Sequence, residues 1–161
     1  MIPLSFAQQR LWIIGQLGPG AVYNMPLVLR LSGSLDRRAL VAALGDVVGR
    51  HESLRTVFPV VDGEPVQRIL PAGGITLPFV WTDTDEERVT ELVVRAAGYV
   101  FDLASEIPLR AHGFATGPDE HVLVLLVHHI AGDGWSVGPF GRDLATAYAA
   151  RIAGTVPAWG E

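Results

Sequence analysis

Two adjacent imidazoles and a carboxylate stand close together in this chain, at His128, His129 and Asp133, with Gly132 and Gly134 on either side of the acid. A neutral imidazole, with a reference pKa of about 6.5, can take up a proton near neutral pH. A nearby carboxylate can orient such a ring, hold a loop in shape, or move a proton itself. The same residue types also ligate metals. Adjacent residues on a continuing strand point to opposite faces, however, so His128 and His129 converge on one ion only across a sharp bend. The expectation is that one histidine faces a cleft and the other is fixed inside the protein. A polar strand end with glycines for its turn accounts for this stretch equally well when it is taken alone.

The elements that must position these groups follow from the flanking pattern. Residues 122–127 are six consecutive apolar side chains, too few for a membrane span and too apolar for either face to meet water, which predicts a central strand. After the glycine-bearing loop, Val137, Phe140, Leu144, Tyr148 and Ile152 recur at helical spacing from near Trp135, with Gly154 as the stop. Before it, residues 107–115 read as a strand that Gly117, Pro118 and Asp119 turn back into an antiparallel neighbour. Thr84 and Glu87 have capping-box spacing ahead of Val89, Leu92, Val93, Ala96 and Val100, a helix of about four turns. Residues 56–61 and 65–70 flank Asp62 and Gly63, a hairpin turn pair.

Nearer the start, Asp36 precedes an amphipathic helix to about residue 49, with Leu40, Leu44, Val47 and Val48 on one face. Residues 26–31 alternate as a strand, with Leu27, Leu29 and Leu31 on one side. A first helix over residues 5–17 opens with the Ser5 and Gln8 capping box and is ended by Gly18, Pro19 and Gly20. Residues 155–161 have no partner element. The expected class is α/β with an α+β character: a mixed, largely antiparallel sheet packed with helices. The absence of a GxGxxG or Walker-type loop argues against a nucleotide fold.

Composition narrows the function classes. The chain has 161 residues, enough for one domain with a real core, and 49% of them are hydrophobic. All 12 basic residues are arginines scattered along the chain and the net charge is −5, so no basic stripe points to nucleic acid. The lack of lysine excludes a lysine Schiff base, and the lack of cysteine excludes disulfides, thiolate metal sites and a cysteine nucleophile. Neither a long apolar span nor a leader pattern is present, so the expectation is a cytoplasmic protein with no membrane partner.

Four motifs carry a resemblance to a known family. SFAQQRLW at residues 5–12, RHESLRTVF at 50–58, FDLASEIPLRA at 101–111 and HHIAGDGWS at 128–136 resemble, in the family's order, motifs of nonribosomal peptide synthetase condensation domains. That family is similar to a pair of chloramphenicol-acetyltransferase-like halves. The resemblance therefore implies that residues 1–161 form the N-terminal subdomain, with the C-terminal half absent. It implies amide formation between a donor thioester and the amine of an acceptor thioester. Both substrates are carried on phosphopantetheine arms of donor and acceptor carrier proteins, with an adenylation domain adjacent and no cofactor or metal bound directly.

By the same resemblance His129 is the catalytic imidazole and His128 a structural partner inside the sheet. Asp133 holds the loop through an ion pair to Arg55, and Gly134 permits close approach or a positive φ angle. Trp135 and Ser136 are packing and capping residues. The relatives that compete are an acyl-CoA-dependent acyltransferase, an epimerisation domain and a non-catalytic carrier-recruitment module. The buried strand, capped amphipathic helices and strand pairs predict that the chain alone folds, while the resemblance implies that it exposes an apolar patch where the other half would sit and fails to condense substrates.

Overall fold

The structure, a computed structural model, describes residues 2–18 and 20–159. Its centre is a four-stranded sheet in the order β2-β8-β7-β6. In it β8 (Glu120–His128) lies antiparallel to both β2 (Asn24–Ser32) and β7 (Leu109–Gly117). The edge strand β6 (Phe79–Asp83) runs parallel to β7. Residues 122–126 of β8 are all buried, because helices cover both faces of this strand and no alternation with polar residues is needed. The expected class, a mixed sheet packed with helices, is what the chain adopts.

On one face lie α2 (Arg37–Arg50) and α4 (Val137–Ile152), whose Leu40, Leu44, Val47, Leu144 and Ala147 meet Leu109, Leu123 and Leu125 of the sheet. Asp36 caps α2 by accepting from the amides of Arg38 and Ala39, both at 2.9 Å. Two ties join the helices: Arg151 binds the Asp46 carboxylate with Nε and Nη2 at 2.7 and 2.6 Å, and Asp143 holds the end of α2. On the opposite face α3 (Glu86–Ala97) packs Val89 and Ala96 against Phe114, Val122 and Val124.

The second sheet is small: β5 (Glu64–Ile69) pairs with β1 (Ile2–Pro3), β3 (Thr56–Val57) and β4 (Val60–Val61). The expected hairpin forms between β4 and β5, with Asp62 and Gly63 at φ 53° and 84°, the left-handed pair that matches strand twist. Its first strand is broken at Phe58 and Pro59, where the Phe58 amide leaves the ladder to donate to Leu103 O at 2.7 Å. The first helix, α1 (Phe6–Leu17), carries the expected box, with Ser5 N to Gln8 Oε1 at 2.9 Å and Gln8 N to Ser5 Oγ at 3.2 Å. Gly18 closes it; Pro19 of the expected stop lies outside the described residues.

Four expectations need correction. The cap of α3 is Asp85, which accepts from Arg88 N at 2.8 Å, and not Thr84. The Thr84 amide is already spent on the sheet, donating to Ala115 O at 2.9 Å, so the helix starts one residue later. The same helix ends at Ala97, which leaves Val100 outside it and 58% exposed. β7 starts at Leu109 because Pro108 has no amide to give a ladder. Strand β6 and the two-residue β1 were not expected at all. Trp159, in the tail read as partnerless, packs on the main core beneath the Arg50 guanidinium, 4.8 Å from its ring centre.

Candidate functional site

The end of β8 separates the two histidines. Backbone bonds from His128 N to Pro108 O at 3.0 Å and from His129 N to Tyr23 O at 2.8 Å fix both residues, and Ala131 N then turns back to His128 O at 3.0 Å. His128 is 2% exposed and lies between the rings of Phe101 and Tyr23, at centroid distances of 5.9 and 6.5 Å. Its Nδ1 accepts from Ile130 N at 3.1 Å, so the ring proton sits on Nε2. Burial, with a smaller push from the charge of His129, lowers its pKa to about 4 and keeps the ring neutral. His129 is exposed. The two histidines do divide into one inward and one outward, but His129 is in the lining of neither cavity at this strand end, and it is the inward His128 that lines one.

Asp133 does not pair with Arg55. Its Oδ1 accepts from Trp135 N, Ser136 N and Ser136 Oγ at 3.0, 3.1 and 3.0 Å, while Asp133 N donates back to Ser136 Oγ at 3.1 Å. That reciprocal box starts the short turn Gly134–Ser136 ahead of α4. The Ser136 hydroxyl and amide, then Trp135 N and the charge of His129, hold the carboxyl below its usual range. Arg55 is engaged elsewhere: Nη1 donates to Leu70 O at 2.6 Å and Nη2 to Glu52 Oε1 at 3.2 Å, pinning the turn Glu52–Arg55 to the end of β5. The acid is served by amides three residues away, so its loop needs no distant cation.

Two smaller corrections concern the same loop. Gly134 is not among the positive-φ residues, and a side-chain Cβ there would meet nothing within 4 Å. The tight position is Gly132, where a Cβ would stand 3.0 Å from Ser136 Oγ and 3.2 Å from its Cβ. Trp135 does not pack: it is 90% exposed.

Cavities open on both faces of the sheet at this strand end. One, of about 280 Å³, lies on the α2 and α4 side between Leu27, Leu125, Val127, Leu54 and Phe140, with His51, Ser53, Asp133 and Ser136 as its polar lining. Sequence reasoning assigned His51 no role. Its Nε2 donates to Asp143 Oδ2 at 2.7 Å, and Arg50 Nε donates to the same oxygen at 3.0 Å, so a carboxylate on α4 orients an imidazole at the cavity wall. Nothing in the spacing of Asp143, 92 residues away, signals that pairing. The second cavity, of about 210 Å³, lies on the α3 side and has His128 in its lining. Among the described residues no group of three or more His, Asp or Glu side chains is placed to hold a metal ion, and no helix is long and apolar enough to cross a membrane.

Comparison with known proteins gives this geometry its family. A probable non-canonical nonribosomal peptide synthetase of Salinispora arenicola is 58% identical over 160 residues, which is 99% of this chain and 2% of that protein. A dimodular nonribosomal peptide synthase of Bacillus subtilis is 53% identical, over 98% of this chain and 7% of that one. Among solved structures, the X-domain from teicoplanin biosynthesis superposes with a TM-score of 0.91 at 38% identity, over 98% of this chain and 34% of that one. The first condensation domain of the calcium-dependent antibiotic synthetase, in complex with a substrate analogue, gives 0.85 at 29% identity, over 99% and 40%. The chain thus spans only a small part of the synthetases it matches. Residues 1–158 match the family model described as Condensation domain, and the chain belongs to that family.

Proposed function

We propose that this chain is the N-terminal half of a condensation unit that joins two carrier-bound thioesters through an amide, with His129 as the catalytic imidazole. The observation that carries the reading is the strand end itself: an exposed His129, fixed by its own backbone, whose neighbours His128 and Asp133 line separate cavities. An acceptor amine attacks the donor thioester carbonyl, the C–S bond breaks, and the amine's proton must leave. His129 accepts a hydrogen bond from that amine, or its proton. His128 holds the strand end and Asp133 shapes the loop between His129 and α4; Arg55 acts at a distance, by fixing the turn that carries Ser53 at the rim of the first cavity. The substrates arrive on the phosphopantetheine arms of donor and acceptor carrier proteins, an adenylation domain is a neighbour, and the site of action is the cytoplasm.

A second half that packs on this one is supported by surface chemistry. Helix α1 buries no residue fully and leaves Phe6 92% exposed and Leu17 82% exposed, apolar area that a further domain would cover. In the complete unit His129→Ala is expected to lower amide formation by about 10² to 10⁴ with the melting temperature unchanged, because an exposed ring adds little packing. Product is read by mass spectrometry with donor- and acceptor-loaded carriers, and a rate within a few-fold of the parent rejects the role. The same assay on this chain alone is expected to give no product above the His129→Ala control, since half a cleft cannot hold two thioesters together.

A second reading is a recruitment module without chemistry. It rests on the likeness to the X-domain, which is described in a complex with OxyB. A complete unit that binds a partner protein but forms no amide from any loaded carrier pair favours that reading.

A further inference from the structure

The cavity on the α3 side has a use that the condensation reading does not supply. Its inner wall is apolar, with Phe58, Phe101 and Trp12 among the lining residues, and Phe58 and Phe101 are buried. One buried polar group lines it, His128. Because Nδ1 is occupied by Ile130 N–H, the proton is on Nε2, and that nitrogen has no hydrogen-bond partner among the described residues and is not one of the sealed, unpaired side-chain atoms, so it opens on the cavity. A donor that opens on an apolar-walled cavity with no acceptor from its own chain marks a place where an acceptor from outside the chain can dock.

The chemistry of the walls restricts the acceptor. A protonated Nε2 has no lone pair for a metal ion or another cation. An anion meets a ring that burial keeps neutral, and also the carboxylate of Asp102 in the same lining. We infer that this cavity binds an uncharged molecule with an apolar chain that ends in a carbonyl, whose oxygen accepts from His128 Nε2–H while the chain lies against Trp12, Phe58 and Phe101. Neither His129 nor Asp133 lines the cavity, so the inference stands or falls separately from the condensation reading.

The test uses the chain labelled with ¹⁵N at histidine and titrated with N-hexylacetamide, a neutral amide with an apolar tail. The His128 Nε2 resonance is expected to shift saturably, and sodium hexanoate and hexylammonium chloride to bind at least about tenfold more weakly. Ala104 is exposed and lines the cavity, so Ala104→Phe is expected to fill it from the surface and abolish the shift with the melting temperature unchanged. His128→Phe keeps the ring and removes the donor; it is expected to weaken the amide roughly threefold to tenfold, the worth of one neutral hydrogen bond. If His128→Phe does not fold, the unmodified chain and Ala104→Phe decide the matter. No saturable shift at millimolar N-hexylacetamide, hexanoate binding as tightly as the amide, or a shift untouched by Ala104→Phe overturns the proposal.

Discussion

The two faces of the main sheet are stabilised in different ways. On one, α2 and α4 form a double layer in which Ala43, Leu44, Val47 and Ala147 are completely buried, and the helices are tied to each other by Arg151–Asp46 and by Asp143 with Arg50 and His51. On the other, α3 packs on Phe114, Val122 and Val124 and buries only Val89 and Ala96, with Leu92 and Val93 partly exposed. The same strand feeds both: Leu123 and Leu125 enter the first core, Val122 and Val124 the second. The difference teaches that β8 is held rigidly from the α2 and α4 side, the side on which Asp133 lines a cavity, while the α3 side has less packing to lose.

That comparison breaks or holds first on two truncations of β8. Leu125 and Val124 are neighbours, 1% and 0% exposed, and differ mainly in the layer they enter. Leu125→Ala is expected to cost about 2–5 kcal/mol, and Val124→Ala less, about 1.5–3 kcal/mol. Urea unfolding of both variants checks the order. A larger loss at Val124 would mean that α3 and not the helix pair is the main support of the strand.

Legibility in the sequence follows the range of the interaction. Periodicity located β8, α2, α4 and the β4–β5 hairpin, because burial on both faces, a 3.6-residue stripe and an Asp-Gly turn are local signals. The strand β6 was missed since its five residues follow Pro78, end in Thr82 and Asp83, and take their place only by pairing with β7. The same distinction runs through the site. That the two histidines point to opposite sides was readable from strand alternation, and which of them lies inward came from the resemblance. The proposed Asp133–Arg55 pair was not realised, because amides three residues ahead satisfy the acid before any distant guanidinium is needed. The contact of His51 with Asp143 joins distant parts of the chain and left no local trace.

The next effect is acid sensitivity, and it belongs to the α3 side. His128 has a folded pKa near 4 against about 6.5 when unfolded. Below pH 6.5 the unfolded chain therefore takes up a proton that the folded chain refuses, and stability falls as pH falls. The slope is up to about 1.4 kcal/mol per pH unit, and the loss ends near pH 4, where the folded ring also protonates. His112, lowered by burial and then by Arg110, adds to the same slope. The contribution of His128 is thus the difference between the parent and His128→Phe. Between pH 7 and pH 4.5 the parent is expected to lose about 2 kcal/mol more than the variant, measured by urea unfolding at each pH. Asp133 acts in the opposite sense of charge and lower in pH: its carboxyl is held down by Ser136, so its contribution is present above the ordinary carboxylate pKa and is lost only as pH falls through the lower folded value. Equal losses in parent and variant would show that the ring is solvated and that this side is not closed around it.

The smallest effects compare the two faces at their helix starts. Asp36 on the α2 side satisfies two amides and Asp85 on the α3 side satisfies one. Asp36→Ala is therefore expected to cost about 1–2 kcal/mol, and Asp85→Ala about 0.5–1 kcal/mol. Thr84 provides the control. Its hydroxyl is buried without a partner while its amide serves the sheet. Replacing that hydroxyl by a methyl group in Thr84→Val removes an unsatisfied group from the interior and keeps a branched side chain suited to a strand end. The variant is expected to be as stable as the parent or slightly more so in thermal unfolding. A loss at Thr84→Val as large as that at Asp85→Ala would move the cap back to Thr84 and start α3 one residue earlier. The Thr84 amide would then have to serve both the sheet and the first turn, which one N–H cannot do at full strength, and the junction between β6 and α3 would be the weakest point of the less protected face.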